Sequence, residues 1–327
     1  MMEVSVVIPA YNRRTLIAEA IESVLAQTLP AREIIVVDDG STDGTADIVA
    51  ARFGTAVRIE RLERNLGISA ARNHGWRVAT GELVALLDSD DAWLPGKLAA
   101  QVRQFENANV LATHGRVELV DGAGQPMPRA TAVYERAFRA AAARGYSYPG
   151  ITRLWTRILP STTVFRRRLL EQIGGFDARL RDFEDWDLFW RVATLGRVTV
   201  TPGTMARYRR HSGNTGMNLG AFELLNRKHL AEVLPGYRGP EAAVVRANLL
   251  RNLAWIAAER GDGAAQRARI RASIRARPAL ALQIWSPVRG AAPVDLLPEV
   301  GAAAAWWVRD QRAPRTHRDR PAAGNSS

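Results

Sequence analysis

Residues 81–91 read Gly-Glu-Leu-Val-Ala-Leu-Leu-Asp-Ser-Asp-Asp, and they constrain the architecture of this chain more than any other segment. The apolar residues 83–87, bounded by Gly81-Glu82 and Trp93-Leu94-Pro95, form a pattern typical of a buried β-strand. The strand ends in Asp88-Ser89-Asp90-Asp91, so three carboxylates are expected close together at one edge of a sheet. Crowded carboxylates favour Mg²⁺ or Mn²⁺, which take oxygen ligands and often share them with substrate phosphates. A solvated acidic turn before a helix is the alternative.

Strand-like and helix-like segments alternate over the first hundred residues. Strands are predicted at 4–8, 33–37, 57–59 and 82–87, and helical spacing of apolar residues is found at 16–25, 46–53 and 68–78. This alternation predicts βαβ units and a mainly parallel sheet. Polar residues follow three of the strands, in Pro9-Ala10-Tyr11-Asn12, Asp38-Asp39-Gly40-Ser41 and the acidic turn at 88–91. Ligands of such sheets bind at the carboxyl ends of the strands, so these three segments are expected to meet in one pocket.

The rest of the chain is less regular. Its predicted elements are strands at 110–112, 116–120 and 197–201 and helices at 130–144, 166–173, 184–195 and within 221–285. We therefore expect an α/β domain over residues 1–216 and a helical, Arg/Ala-rich region over 217–312. Residues 313–327 are polar and contain Pro and Gly, which predicts a disordered tail.

Composition narrows the class of protein. The 327 residues are 47% hydrophobic and contain no cysteine, which excludes a mainly disordered chain and a disulfide framework. No secretory signal and no membrane-spanning run is recognised. The net charge of +12 is concentrated at residues 221–327, which hold 17 basic and 9 acidic residues. Such a charge favours an anionic lipid surface or a nucleotide diphosphate, although genomic base composition explains an arginine excess equally well.

The ordered set of motifs resembles glycosyltransferase family 2 of the bacterial, non-processive type. The resemblance spans residues 3–215 and is carried by the segments quoted above together with Asn65-Leu66-Gly67, Ala71-Arg72-Asn73, Gly174-Gly175-Phe176-Asp177 and Glu184-Asp185-Trp186-Asp187. It implies a GT-A fold, with a Rossmann-like, mainly parallel sheet flanked by helices and here a C-terminal helical extension. It also implies a nucleotide-sugar donor, a divalent metal (Mn²⁺ or Mg²⁺) and inversion at the anomeric carbon.

The resemblance also assigns residues to the donor and the metal. Asp90 and His211 are the expected metal-binding residues, with a structural or surface position as the alternative for His211. Asp39 is placed to accept the N–H of uracil. Arg72 is expected to reach the base or the diphosphate, with a surface position as the alternative. The expected nucleotide-sugar-binding residues are Pro9, Ala10, Tyr11, Asp39, Asn65, Arg72, Asp88 and Ser89. Asp38, Asp43 and Asp91 are expected to support turns, and His74, His114 and His229 to be structural.

The acidic segment at 184–187 is expected on the acceptor side. A hydroxyl acceptor needs a general base, and the family pattern places that base at Asp185. Glu184 and Asp187 compete for the role, and an acidic helix N-terminus without catalysis is the alternative. Glu184 and Trp186 are the expected acceptor-side residues.

These observations predict transfer of a single sugar, because the Gln-x-x-Arg-Trp motif of processive members is absent. The expected donor is a UDP-sugar and the expected acceptor a saccharide or lipid-linked hydroxyl in bacterial surface polysaccharide or glycolipid assembly. We expect a cytoplasmic enzyme with peripheral contact to the anionic inner face of the membrane, and no nucleic-acid partner. The rival classes are a non-catalytic GT-A-like binding protein and a basic nucleic-acid-binding protein.

Overall fold

The computed structural model describes residues 2–144, 146–153, 158–211 and 218–277. The predicted tail at 313–327 and the tryptophans at 285, 306 and 307 lie outside these ranges. Within them, no helix has both the length and the apolar character needed to cross a bilayer.

Eight strands of the described residues form one sheet, in the order β3-β2-β1-β4-β7-β6-β8-β5. They are β1 Val4–Ala10, β2 Glu33–Asp38, β3 Arg58–Arg61, β4 Leu83–Leu86, β5 Ala92–Trp93, β6 Val110–Val120, β7 Val164–Arg166 and β8 Arg197–Arg209. Strands β1 to β4 are mutually parallel, as predicted. Strand β7 runs antiparallel to both β4 and β6, while β6 and β8 are parallel. The sheet is therefore mixed beyond β4.

The helices of the described residues cover both faces of the sheet. They are α1 Ile17–Leu25, α2 Thr45–Phe53, α3 Ile68–Val78, α4 Lys97–Val102, α5 Pro128–Arg144, α6 Tyr148–Arg153, α7 Arg167–Ile173, α8 Glu184–Leu195, α9 Leu219–Lys228, α10 Ala242–Glu259 and α11 Gly263–Ala276. Alternate residues of β1 enter different cores: Val7 belongs to the core that includes residues of α3 and α8, and Val6 and Ile8 belong to the core that includes residues of α1 and α4. Central strands buried on both faces explain the continuous apolar runs of the sequence.

Two predicted elements are corrected by the structure. The strands expected at 110–112 and 116–120 are one strand, β6, whose pairing with β8 shifts register near Gly115. A Cβ at Gly115 would lie 2.2 Å from Cγ of Met205, so any larger residue would force the Met205 side chain to move. The strand expected at 197–201 extends to Arg209, because β8 pairs with β6 from Arg197 to Val200 and again from Thr204 onward, and it also pairs with β5.

The loops after β1 and β2 are joined by hydrogen bonds at the carboxyl edge of the sheet. The Asn12 N–H donates to Ser41 Oγ (2.9 Å), and the Thr42 N–H donates to Asn12 Oδ1 (2.9 Å). Gly40 has φ +70°, and a Cβ there would lie 2.6 Å from the main chain of Arg64. The predicted capping by Asp38 is confirmed, since its carboxylate accepts the Ser41 N–H at 3.2 Å.

Helices α9 and α10 pack on α8 and α6 and share one apolar core with the sheet. The ring of Phe222 on α9 contacts Phe183 and Trp186, at 5.3 and 5.7 Å between ring centroids. Asn248 of α10 donates to the carbonyl of Pro149 at 3.0 Å. The predicted domain boundary at residue 216 stays a prediction. The contacts of Phe222 and Asn248 show that residues after this boundary pack directly on residues before it.

The side chains of both lysines of the chain are largely enclosed. Lys97 on α4 is 1% exposed, and its ammonium lies 3.8 Å from the ring centroid of Trp93. Lys228 at the end of α9 pairs with Asp177 and Asp187, at 2.7 and 2.5 Å. Neither ammonium contributes to the exposed charge.

Candidate active site

The loop that follows β3 is fixed by the carboxylate of Asp39. This side chain is 3% exposed and accepts the main-chain N–H groups of Leu66 and Gly67, at 2.8 and 2.9 Å. Asn65 contributes by accepting the Gly67 N–H at 3.1 Å. Each carboxylate oxygen retains a further lone pair, so Asp39 keeps the capacity to accept the N–H of a base. Tyr11, 42% exposed, is the aromatic side chain at the end of β1, and Pro9 and Ala10 before it are buried.

The turn at 88–91 is held by residues from two distant segments. The Asp88 N–H donates to Ser161 Oγ (3.0 Å), whose hydroxyl donates to Asp91 Oδ2 (2.5 Å). The Arg209 N–H donates to the other oxygen of Asp91 (2.9 Å), and its guanidinium donates to the Asp90 carbonyl. Burial, together with the charges of Asp90 and Asp88, raises the pKa of Asp91 well above its ordinary value. Asp91 therefore supports the turn, as predicted, and Ser89 beside it is buried.

Asp90 directs its carboxylate toward cationic and imidazole groups. Its Oδ2 lies 2.9 Å from Nε2 of His211 and 3.8 Å from a terminal nitrogen of Arg13. The Asp90 side chain is 14% exposed, so it reaches solvent and any ligand there. The predicted pairing of Asp90 with His211 in one locality is thus present.

Arg72 connects the acidic turn to the acidic helix. Its guanidinium donates to Asp88 Oδ1 at 2.7 Å and to Glu184 Oε1 at 2.8 Å. The side chain is 2% exposed, so the surface position considered for Arg72 is wrong. Burial alone would lower its pKa, but the charges of Asp88 and Glu184 raise the pKa above the ordinary arginine value. The two predicted halves of the site therefore meet at one guanidinium.

The three carboxylates of α8 occupy different environments. Glu184 is buried against Arg72, and Asp187 is 0% exposed among Arg191, Lys228 and His229. Asp185 is half-buried and accepts the Trp186 N–H at 2.8 Å. Burial alone would raise the pKa of Asp187, but His229, Arg191 and Lys228 lower it below the ordinary aspartate value. Asp187 is thus committed to buried ion pairs.

The residue before Glu184 and Asp185 has an unusual backbone conformation. Phe183 has φ +63°, a left-handed conformation that costs a bulky residue about 1–3 kcal/mol. Its ring is held between Trp186 (5.3 Å) and Phe222 (5.3 Å). Trp186 is 6% exposed and also contacts Trp190. Packing in the core therefore accounts for Trp186, and we propose no acceptor contact for it.

The donor set at Asp90 fits a hard divalent cation that shares its coordination with phosphate. No group of three or more His, Asp or Glu side chains within the described residues has the geometry of a complete metal site. Magnesium, however, is usually bound by one or two carboxylates, with phosphate oxygens and waters as the remaining ligands. Asp90 provides one such carboxylate, and the imidazole of His211 lies 2.9 Å from it.

Three residues of the site were missed by the sequence predictions. Ser161 and Arg209 hold the turn at 88–91, and Arg13 lies beside Asp90. Arg13 directly follows the polar residues after β1, so its position in the sequence could have indicated a place in the site. Ser161 lies in a short 3₁₀ turn, and Arg209 lies beyond the predicted end of β8, so no pattern indicated them.

Comparison with known proteins identifies the class. Residues 5–174 match the glycosyl transferase family 2 domain, which is more than half of the chain. The chain belongs to this family. An uncharacterised glycosyltransferase of Nostoc sp. is 32% identical over 220 residues, covering 66% of this chain and 67% of the relative. The succinoglycan biosynthesis protein ExoO of Rhizobium meliloti is 33% identical over 231 residues, covering 65% and 62%.

Two solved glycosyltransferases share the fold. Staphylococcus aureus TarS 1–349 in complex with UDP-GlcNAc superimposes with a TM-score of 0.56 and 18% identity, covering 84% of this chain and 92% of that one. A mannosyltransferase of Pyrobaculum calidifontis in complex with GDP-Man and Mn²⁺ gives 0.57 and 22%, covering 95% and 83%. The predicted GT-A fold is confirmed, and the chain is a glycosyltransferase.

Proposed function

We propose that this enzyme transfers one sugar from a nucleoside-diphosphate sugar to a hydroxyl group, with inversion at the anomeric carbon. The observation that carries the proposal is the double ion pair of Arg72. It holds Asp88, on the turn assigned to the donor, and Glu184, next to the assigned base, on one guanidinium. Donor and acceptor must meet within bonding distance in a direct displacement, and this geometry supports such a meeting.

The proposed chemistry is a single displacement. Asp185 removes the proton of the acceptor hydroxyl as its oxygen bonds to the anomeric carbon, while the bond to the diphosphate breaks and its electrons leave with the diphosphate. Among the carboxylates of α8, Asp187 is enclosed by cations and Glu184 is bound to Arg72, which favours Asp185 as the base. A divalent cation held by Asp90 and His211 would stabilise charge on the leaving diphosphate.

The donor nucleotide is proposed to be uridine-based, with Asp39 accepting the base N–H and Tyr11 against the ring. The neighbours of similar fold hold UDP-GlcNAc in one case and GDP-Man in the other. A place in bacterial polysaccharide assembly is supported by the name of the Rhizobium relative. The acceptor is proposed to be a saccharide or lipid-linked hydroxyl.

Metal-dependent donor binding is the first expected result. UDP, GDP, UDP-GlcNAc and GDP-mannose are each tested by thermal shift with and without Mn²⁺ or Mg²⁺. A ligand at a hundredfold excess over Kd stabilises the native state by about 2.7 kcal/mol, and we expect a shift with one nucleotide family that requires the metal. Asp90→Ala should lose the metal-dependent part of that shift, while Asp47→Ala, in an exposed pair with Arg61, should keep it. Nucleotide binding that is unchanged by removing the metal ion and by Asp90→Ala would contradict the metal assignment. The absence of a thermal shift with every nucleotide would favour the non-catalytic class.

The peripheral membrane contact is proposed to involve α11. One side of this helix faces α10, where Arg269 donates to the Leu253 carbonyl and Ser273 to the Ala247 carbonyl. On the other side, Arg267, Arg271 and Arg275 are exposed at intervals of four residues. Like charges at this spacing destabilise a helix, and an anionic lipid surface would relieve their repulsion.

Vesicle binding tests this face. Each arginine near an anionic bilayer contributes about 1 kcal/mol, so changing Arg267, Arg271 and Arg275 to Gln should weaken binding to phosphatidylglycerol-containing vesicles on the order of a hundredfold. The matched control changes Arg103, Arg168 and Arg197, which are exposed on other elements, to Gln. Co-sedimentation at low salt measures both. Equal losses in the two triple variants would mean that net charge, rather than α11, governs the contact.

A further inference from the structure

Residues C-terminal to β8 contact α8, the helix that carries Asp185, through the buried carboxylate of Asp187. Its Oδ1 lies 2.5 Å from Nζ of Lys228 and 3.0 Å from Nε2 of His229, and its Oδ2 accepts from Arg191 at 2.8 Å. Lys228 ends α9, and His229 begins a π-helical turn, His229–Val233. Such π turns are rare and occur frequently at functional sites.

His229 is the centre of a buried hydrogen-bond chain. Its Nδ1 lies 3.1 Å from Oη of Tyr148, and its ring is 0% exposed. Burial, and secondarily the charges of Lys228 and Arg191, lower the pKa of His229 despite the opposing effect of Asp187. A neutral imidazole between these partners donates from Nε2 to Asp187 and accepts at Nδ1 from the Tyr148 hydroxyl. The chain therefore fixes both the ring and the carboxylate.

A second contact of α9 holds Phe183, the residue before Glu184 and Asp185. Phe222 packs on the ring of Phe183, whose backbone is left-handed, and on Trp186. Successive helical residues are about 100° apart, so Asp185 and Asp187 project from nearly opposite sides of α8. Fixing Asp187 on the inner side and Phe183 at the N-terminal end therefore determines where Asp185 points.

We propose that α9 and the π turn are a positioning element of the active site, in which His229 through Asp187, and Phe222 through Phe183, orient Asp185. The proposal rests on the proposed function, because it takes Asp185 as the base. It assigns His229 and Phe222 no contact with substrate. They are positioning residues supplied by the region outside the α/β domain predicted from the sequence.

The test compares His229→Leu with His229→Gln. Leucine removes the hydrogen bonds to Asp187 and Tyr148, whereas glutamine keeps an N–H donor for Asp187. Hydrolysis of UDP-GlcNAc or GDP-mannose is measured with the metal ion, using the donor that raises the melting temperature of the wild type. In this assay water takes the place of the acceptor hydroxyl, and the nucleoside diphosphate is released. Misplacement of a catalytic group can cost up to about a hundredfold, so we expect His229→Leu to lower kcat about tenfold to a hundredfold with the donor KM changed less than about twofold. His229→Gln should restore most of kcat.

Two further variants separate positioning from general destabilisation. Leu253→Ala truncates a residue of the same core on α10, and it should lower the melting temperature but leave kcat unchanged below that temperature. Phe222→Leu keeps an apolar side chain but removes the ring contact with Phe183, and it should lower kcat without raising KM. This variant tests the proposal if His229→Leu does not fold. Proportional loss of stability and kcat in all variants, or unchanged kcat in Phe222→Leu and His229→Leu, would overturn the proposal. An inactive wild type would instead contradict the proposed function.

Discussion

Asp185→Asn is expected to abolish sugar transfer while leaving donor binding intact. Asparagine has the same shape as aspartate but cannot take up the acceptor proton, and loss of a general base typically costs about 10²–10⁴-fold in rate. The donor-induced thermal shift should remain, because Asp185 lies on the first turn of α8 and the donor is assigned to the turn at 88–91. Steady-state kcat and the thermal shift are measured on the same preparation.

The matched control is Asp182→Asn. Asp182 lies three residues before Asp185 and accepts a surface hydrogen bond from Asn218 at 3.0 Å. The same chemical change there should leave kcat near the wild-type value. Near-normal transfer by Asp185→Asn would show that the base is another group, and Glu184→Gln would then be the variant to compare.

Arg72→Leu is expected to cause the largest loss of stability. The substitution leaves Asp88 and Glu184 without the guanidinium that both contact, and removing one partner of a buried ion pair costs about 3–5 kcal/mol. Arg72→Lys should recover only part of this, because an ammonium cannot reproduce the planar fork that binds two carboxylates. Urea unfolding with unchanged m-value measures the difference.

Arg77→Leu serves as the control on the same helix. Arg77 is exposed and lies over the ring of Trp76, so its loss should change the free energy of unfolding by less than about 1 kcal/mol. If Arg72→Leu were no more destabilising than Arg77→Leu, the double ion pair would not hold the two halves of the site together. Its role would then be confined to ligand contact.

The sequence predicted the parts of the fold that depend on local pattern. Apolar runs ending in polar residues located β1, β2 and β4, because a buried strand must leave the core where its side chains become polar. The helix Ile68–Val78 and the helix Glu184–Leu195 also have the predicted bounds. The sequence pattern around Gly115 predicted a break between two strands, whereas the structure has one strand there. The contact between Gly115 and Met205 joins distant parts of the chain, so the local pattern could not reveal it.

The contacts that organise the site could not be predicted in the same way. Arg72 joins residues 16 and 112 positions away, and Ser161 joins Asp91 from 70 positions away. Periodicity reports which side of an element is buried, but it does not report which buried groups meet. The sequence leaves the role of Asp187 open for this reason, because its partners on α9 and the π turn are more than 40 residues distant.

The burial of Lys97 and Lys228 has a consequence for how this protein can be modified. With 43 of the 45 basic side chains being arginine and both lysines enclosed, the side chains offer almost no accessible primary amine. Lysine acetylation therefore cannot neutralise its exposed positive charge. Guanidinium groups also remain protonated up to pH ~12, so that charge persists across the whole physiological pH range. Ionic strength, which screens exposed charges, therefore adjusts the affinity of this surface for anionic partners.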